Sequence, residues 1–290
     1  MKIPLALFAL LACGIAQADI AVRDDTGNEV HLAAPAQRIV SLAPNLTELV
    51  YAAGAGDRLI GTVEFSDYPA AAKRVPRIGN YASFDIESII ALKPDLVLVW
   101  QSGNPQAGVE QMRKLKLPLF VIEPRTLSDI PRNLERLGAL AGTQTQAGTT
   151  VRNFRQRLAA LQARYSNLGP VRVFYEIWDK PLMTVSGKQI ISDVIQLCGG
   201  QNVFADLPAL APVISVEAVL AANPDAIVAG GMGTQNTSWL TPWQQWPRIK
   251  AVAQGNLFFI DPDLLQRQTP RLLDGAQALC EKLDDARKKR

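Results

Sequence analysis

Two rhythms of apolar residues alternate along the chain. Short continuous runs ("RIVSL" from Arg38, "RLIGTV" from Arg58, "DLVLVW" from Asp95, "LPLFVIE" from Leu117, "VRVFYEI" from Val171, "DAIVAG" from Asp225 and "NLFFID" from Asn256) read as strands. Because these runs are apolar throughout, they predict parallel strands covered on both faces. Between them lie stretches with apolar residues at helical steps: "LTELVYAAGAG", "FDIESIIALKP", "VEQMRKLK", "QIISDVIQLCGG", "SVEAVLAANP" and "PRLLDGAQALCEKLDDA". Pro44 and Pro270 suit first helical turns, glycines suit C-caps, and Pro94 stops the second helix. Ahead of all this, "IAVRDDTGNEVHL" (20–32) alternates on both sides of a glycine-bearing turn and predicts a hairpin.

The alternation breaks once, between Gln144 and Asn167. Val151, Phe154, Leu158 and Leu161 repeat at helical spacing with no intervening strand, until Gly169-Pro170. A helix of about 20 residues runs about 30 Å, the width of a small lobe. On either side of it the chain repeats a phrase. "ESIIALKPDLVLVW" from Glu87 matches "EAVLAANPDAIVAG" from Glu217, with Pro94 against Pro224 and Asp95 against Asp225. Helix, proline, aspartate and buried strand form a common grammar, so the match alone leaves convergence open. The long helix at the midpoint favours two related halves. The expected fold is α/β, two Rossmann-like lobes joined by a single long α-helix. The expected boundaries are a leader over 1–18, an N-terminal lobe over 19–142, the linking helix over 143–168 and a C-terminal lobe over 169–290.

Composition adds a compartment. Lys2, a largely apolar Ile3 to Ile15, and "AQA" before Asp19 predict a secretory signal cut after Ala18. Lipidation at Cys13 is the alternative, but Leu11 suits it poorly. With Cys13 removed, Cys198 and Cys280 remain, and an even count in an oxidising compartment predicts one disulfide, the alternative being two buried thiols. The net charge is +3 with both signs scattered, which points to no nucleic-acid partner, and no later segment is apolar enough to span a bilayer. A soluble, monomeric periplasmic protein is the expectation.

Catalytic motifs are scarce. His31 is the only histidine and falls in the predicted hairpin, which excludes a histidine-rich metal site and makes a Ser-His-Asp triad hard to build. No G-x-S-x-G elbow occurs, and "GGMGTQN" from Gly230 reads as a loop at a strand end. Aromatic residues instead gather at strand ends: Phe65 and Tyr68 after "RLIGTV", Tyr81 after "RIG", Trp100 closing "DLVLVW", and Trp178 after "VFYEI". Ligands of open α/β sheets bind beyond the carboxyl ends of the strands, so these rings are candidates for a cleft around a large, partly apolar ligand. Trp239, Trp243 and Trp246 have helical spacing and read as a packing stripe.

"RIVSLAPNLTELVYAAGAGDRLIG", "SDYP", "ALKPDLVLVW", "SGK" at Ser186, "LCGG" at Leu197 and "QRQTPRLL" resemble the periplasmic substrate-binding proteins built from two lobes on a rigid helix. That class serves ABC importers of siderophores, haem and cobalamin, and the cobalamin-binding group is the most similar. The resemblance implies a non-catalytic protein that delivers a corrinoid to the permease dimer of an importer. It implies that Phe65, Tyr81, Trp100 and Trp178 surround the corrin, and that the loop Asp263, Leu264, Leu265, Gln266 and Arg267 binds it. It also implies that Glu87 and Glu217 dock onto permease arginines, and that Cys198 pairs with Cys280. The chain departs from the group at Phe65 and Tyr81 (a tyrosine and a tryptophan there), at Ala211 (a tryptophan) and at Gln266 (a glutamate). A haem or ferric-siderophore carrier of the same class is the alternative, with Tyr68 or Tyr81 as an axial haem ligand and Arg267 and Lys188 as cleft cations. A secreted α/β hydrolase is the third reading.

Overall fold

The structure, a computed structural model, describes residues 19–230 and 238–289. The expected leader, Cys13 and most of "GGMGTQN" lie outside the described residues. A hairpin of β1 (Ile20–Arg23) and β2 (Glu29–Leu32) opens the chain. β3 (Ile39–Ser41), α1 (Pro44–Ala52) and β4 (Leu59–Gly61) follow. A small hairpin, β5 (Gly79–Asn80) with β6 (Ser83–Phe84), precedes α2 (Ile86–Ala91). β7 (Leu96–Trp100), α3 (Gln106–Lys114), β8 (Leu119–Ile122) and α4 (Asp129–Ala141) complete the first lobe. α5 (Gln144–Tyr165) then crosses to the second. That lobe holds β9 (Val171–Glu176), β10 (Trp178–Asp179), β11 (Leu182–Met183), α6 (Ile190–Leu197) and β12 (Gly200–Asn202). It continues with α7 (Val216–Ala222), β13 (Ala226–Ala229), α8 (Lys250–Ala253), β14 (Leu257–Phe259), α9 (Pro262–Leu265) and α10 (Leu272–Lys288).

Each lobe is built on one four-stranded parallel sheet. The orders are β4-β3-β7-β8 and β12-β9-β13-β14. Numbered within its own lobe, each sheet runs second, first, third, fourth, so the two halves share one topology. β12 is the strand that the apolar pattern missed. Its residues, Gly-Gln-Asn, carry no hydrophobic run, and pairing with β9 makes it a strand. The Asn202 amide then donates to Val185 O and Ser192 Oγ, both at 2.8 Å, which fixes the edge.

The repeated phrase occupies the third position of both sheets, and its chemistry repeats too. Lys93 and Asn223 end α2 and α7 in the left-handed region, φ 46° and 42°. The Asp95 carboxylate accepts from Gln37 N–H (2.7 Å) and Arg38 N–H (2.9 Å), and that of Asp225 from Arg172 N–H (2.9 Å). Arg38 in turn donates to Leu92 O at 2.6 Å, and Arg172 to Ala222 O at 2.7 Å, each satisfying a free carbonyl at a helix end. The Pro-Asp pair is therefore a bolt between a helix and the sheet's first strand, made twice.

α5 spans 22 residues, about 33 Å. It is not a free rod. Ala147, Val151 and Phe154 are buried in a core that runs from α1 and α4 of the first lobe to α6 and α10 of the second. α4, whose helical pattern was not singled out in the sequence, folds back on α5 around Gly142, which has φ 65°. Separate apolar clusters fill the opposite face of each sheet. The Cys198–Cys280 disulfide is formed and ties the end of α6 to α10. The exposed edge of β8 is closed by the first hairpin's turn. Asp25 N–H donates to Val121 O (3.0 Å), and Glu123 N–H to the Asp25 carboxylate (2.7 Å), which also meets Arg132 and Arg136. Two helix limits differ from expectation. α10 starts at Leu272, capped at Arg271, so Pro270 precedes it. "WLTPWQQW" forms a 3-10 turn over Thr241–Gln245 rather than an α-helix, and Trp239 and Trp243 are buried while Trp246 is exposed and outside the expected packing stripe.

Candidate ligand-binding cleft

The carboxyl ends of both sheets face a cavity of about 540 Å³ between the lobes. From the first lobe come Trp100, at the end of β7, and the segment after β8, with Glu123 and Arg125. From the second come Ile177, Lys188, Gln189 and Ala211, with Gln266 and Gln268 beyond α9. Three side-chain amides, one indole, one acid and two bases thus meet in one space.

Trp100 is held by the residues after it. Asn104 accepts from Trp100 N–H (2.7 Å) and donates to Leu42 O (2.8 Å) and Tyr81 O (2.9 Å). One buried amide therefore sets both the end of β7 and the loop carrying Tyr81. A Cβ on Gly103 would run into the Trp100 ring, so this turn requires glycine. The Tyr81 ring lies 6.4 Å from that of Trp100, tilted by 51°, but does not itself line the cavity.

Phe65 is 65% exposed at φ 63°, an unusual conformation for a non-glycine residue. Hydroxyls of Thr47, Thr62 and Ser66 bond to one another behind it, at 2.6 and 2.9 Å, and hold the turn that presents the ring. Strain of this kind gathers at ligand sites. Trp178 is also exposed and, like Phe65, is not a cavity-lining residue, its indole donating to Lys180 O (3.0 Å) and packing edge-on against Trp239.

The loop after β14 divides its residues. Gln266 lines the cavity, Asp263 and Leu264 are partly exposed, and Leu265 is wholly buried in the shared core, so its side chain offers no surface to the cleft. Arg267 is not a cavity-lining residue: its guanidinium pairs with Glu48 (2.9 Å), Asp67 (2.9 Å) and Asp263 (2.8 Å). Tyr68 is likewise engaged, with the Arg271 guanidinium 3.8 Å above its ring.

Two buried carboxyls stand at the strand ends. Burial pushes the Glu123 carboxyl above its ordinary range, although the Ser102 N–H (2.9 Å) and Arg125 oppose the rise. Glu176, at the end of β9, is pushed up to about 7 by burial, against the hydrogen bond from Trp243 Nε1 (2.7 Å). Glu123 was legible by the strand-end rule that picked out the tryptophans, since it closes "LPLFVIE". Gln189 and Gln268 had no such signal.

Glu87 and Glu217 are exposed in the first turns of α2 and α7. Each helix runs antiparallel to the strand after it, so both acids sit at the edge where the strands end. Asp85 caps one helix and Ser215 the other. The Ser215 cap and the local backbone hold the Glu217 carboxyl below its usual range.

The periplasmic binding protein family profile matches residues 39–264. The chain belongs to the periplasmic binding protein family. It is 37% identical over 258 residues to a vitamin B12-binding protein of Vibrio vulnificus, covering 89% of this chain and 94% of that one. Among solved structures, the periplasmic vitamin B12 binding protein BtuF of Vibrio cholerae superposes with a TM-score of 0.81 at 36% identity, covering 88% of this chain and 99% of that one. A periplasmic haem-binding protein of Pseudomonas aeruginosa superposes with a TM-score of 0.74 at 26% identity, covering 84% and 91%. The two-lobed fold on one long helix is common to these proteins. Among the described residues no helix is long and apolar enough to cross a membrane, and no group of His, Cys, Asp or Glu is placed to hold a metal ion.

Proposed function

We propose that this protein captures cobalamin or a closely related corrinoid in the periplasm and presents it to an ABC importer, without chemical conversion. The supporting similarity is 36–37% identity, over nearly nine-tenths of the chain, to proteins named for vitamin B12 binding. The observation that carries the choice of ligand is the cavity wall. A corrin bears a fringe of neutral amides, and Gln189, Gln266 and Gln268 present side-chain amides beside the Trp100 face, the oxygens of Gln189 and Gln268 already accepting from Ile191 N–H and Asn45 Nδ2. A haem would bring two carboxylates and an iron needing an axial ligand. Among the described residues the cavity lining holds two bases, but no tyrosine or histidine. Ala211 leaves room where the cobalamin-binding group carries a tryptophan.

Phe65, Tyr81, Trp100 and Trp178 form the aromatic surround in this reading, and Asp263, Leu264 and Gln266 belong to the loop that closes it. The mature chain starts after Ala18, with lobes over 19–142 and 169–290 and the linking segment over 143–168. It works as a monomer. Glu87 and Glu217, one per equivalent helix, meet paired arginines of a two-fold permease, where complementary charge sets register and encounter rate.

Calorimetric titration of the mature protein with cyanocobalamin, dicyanocobinamide, haemin and a ferric siderophore tests the ligand. Saturable binding of a corrinoid is expected. Binding of haemin or siderophore alone would replace this reading with that of a haem or siderophore carrier.

A further inference from the structure

A buried charged seam joins the lobes beside the cleft. Glu48, on α1 of the first lobe, is 3% exposed. Among the described residues, the four donors to its carboxylate come from two arginines and a threonine of the second lobe: Arg267 Nη1 (2.9 Å), Thr269 Oγ1 (3.1 Å), and Arg271 Nε (3.0 Å) and Nη2 (2.6 Å). One turn earlier on α1, Asn45 Nδ2 donates to Gln268 Oε1 at 2.7 Å, also buried. Between Gln266 and Thr269 the chain alternates. Gln266 and Gln268 line the cavity, while Arg267 and Thr269 turn to Glu48.

We infer that Glu48 is the positioning residue of the cavity wall: by gripping Arg267, Thr269 and Arg271 it holds the 266–271 segment so that Gln266 and Gln268 face the ligand. The physical case rests on what removal would leave. Two guanidiniums would lie beside a buried site with no central partner, and the segment would have to leave the seam to rehydrate them. The cavity amides would move with it, because they are neighbours in the chain. A wall held in place before the ligand arrives spares the ordering cost of binding. The seam also joins the lobes at the margin of the core they share.

The inference rests on the corrinoid reading only for its binding arm. Ligand-free hydrogen exchange on Glu48→Gln is expected to speed exchange of the 266–271 amides by about tenfold or more, with the β7 and β13 amides unchanged. Cyanocobalamin affinity is expected to fall about tenfold, the effect of losing one charge-assisted hydrogen bond. Asp95→Ala is the control for general destabilisation, since its bolt lies at the opposite end of the sheet. It is expected to lower stability and leave affinity within twofold. Unchanged exchange in Glu48→Gln, or an equal affinity loss in Asp95→Ala, overturns the inference. If Glu48→Gln does not fold, Arg271→Gln removes one arm of the seam and is read in the same way, with a loss of about threefold expected. If wild-type protein binds haemin and not cyanocobalamin, the corrinoid reading fails, and the exchange arm still decides the role of Glu48.

Discussion

The two lobes share a sheet order and differ in almost everything added to it. Both carry the Pro-Asp bolt, the left-handed helix end and an exposed acid on the first turn of the equivalent helix. Among the described residues, only the second carries a disulfide and an indole-bonded buried acid, Glu176. Only the first has its sheet edge closed by a hairpin, through Asp25 with Arg132 and Arg136. What is duplicated keeps helix and strand in register and, in the proposed function, is what a symmetric partner would read. What is unique braces each lobe separately, away from the cavity wall. Asp25 and Glu176 make the contrast sharp. Burial raises both, but guanidiniums and the Glu123 N–H outweigh it at Asp25, whose pKa is lowered, whereas Glu176 has no cation to oppose it.

The largest effect is expected from the staple. Cys198→Ser with Cys280→Ser opens a loop of 82 residues, which costs about 4 kcal/mol in the chain-entropy model. Urea unfolding read by probes in each lobe should show both transitions moving together, because the core is shared. A shift confined to the second lobe would break that coupling. Next comes the acid pair. Glu176 keeps its proton to about 7 when folded, against an ordinary 4.5, so the unfolded chain releases its proton first. This group's contribution to stability therefore falls as pH rises from about 4.5 to about 7, by about 3 kcal/mol. Glu176→Gln should flatten that slope and raise stability at pH 8. Asp25 runs the other way. Its stabilisation is present above 3.8 and lost as pH falls through the lower folded value, so Asp25→Asn should flatten only the acid limb.

Smaller effects separate the two bolts. Asp225→Ala should cost about 2 kcal/mol and Asp95→Ala about 1, since the first carboxylate is buried and the second half-exposed. Smallest for stability is Glu87→Arg with Glu217→Arg, within about 0.5 kcal/mol for exposed positions. Corrinoid binding should survive it, and stimulation of the importer's ATPase should vanish. Unchanged stimulation would remove the docking role.

The contrast extends to what could be read beforehand. Strand runs such as "DLVLVW" were legible because burial on both faces demands apolar residues at every step, and Trp100 was legible as the end of such a run. β12 was not, because pairing with β9 makes it a strand without an apolar pattern. Arg267 lies between two cavity-lining residues, Gln266 and Gln268, but a charge on a loop does not reveal which way it turns. Here it turns to Glu48.

Periodicity, the repeated phrase and the midpoint helix determined two α/β lobes on a rod, because the burial of each residue is written in its near neighbours. Folding alone decided which polar groups meet. Glu48 and Arg271 stand 223 positions apart, and nothing local to either one names its partner. The cleft is built from such distant pairings, so its amide wall and the seam behind it emerged only with the tertiary structure.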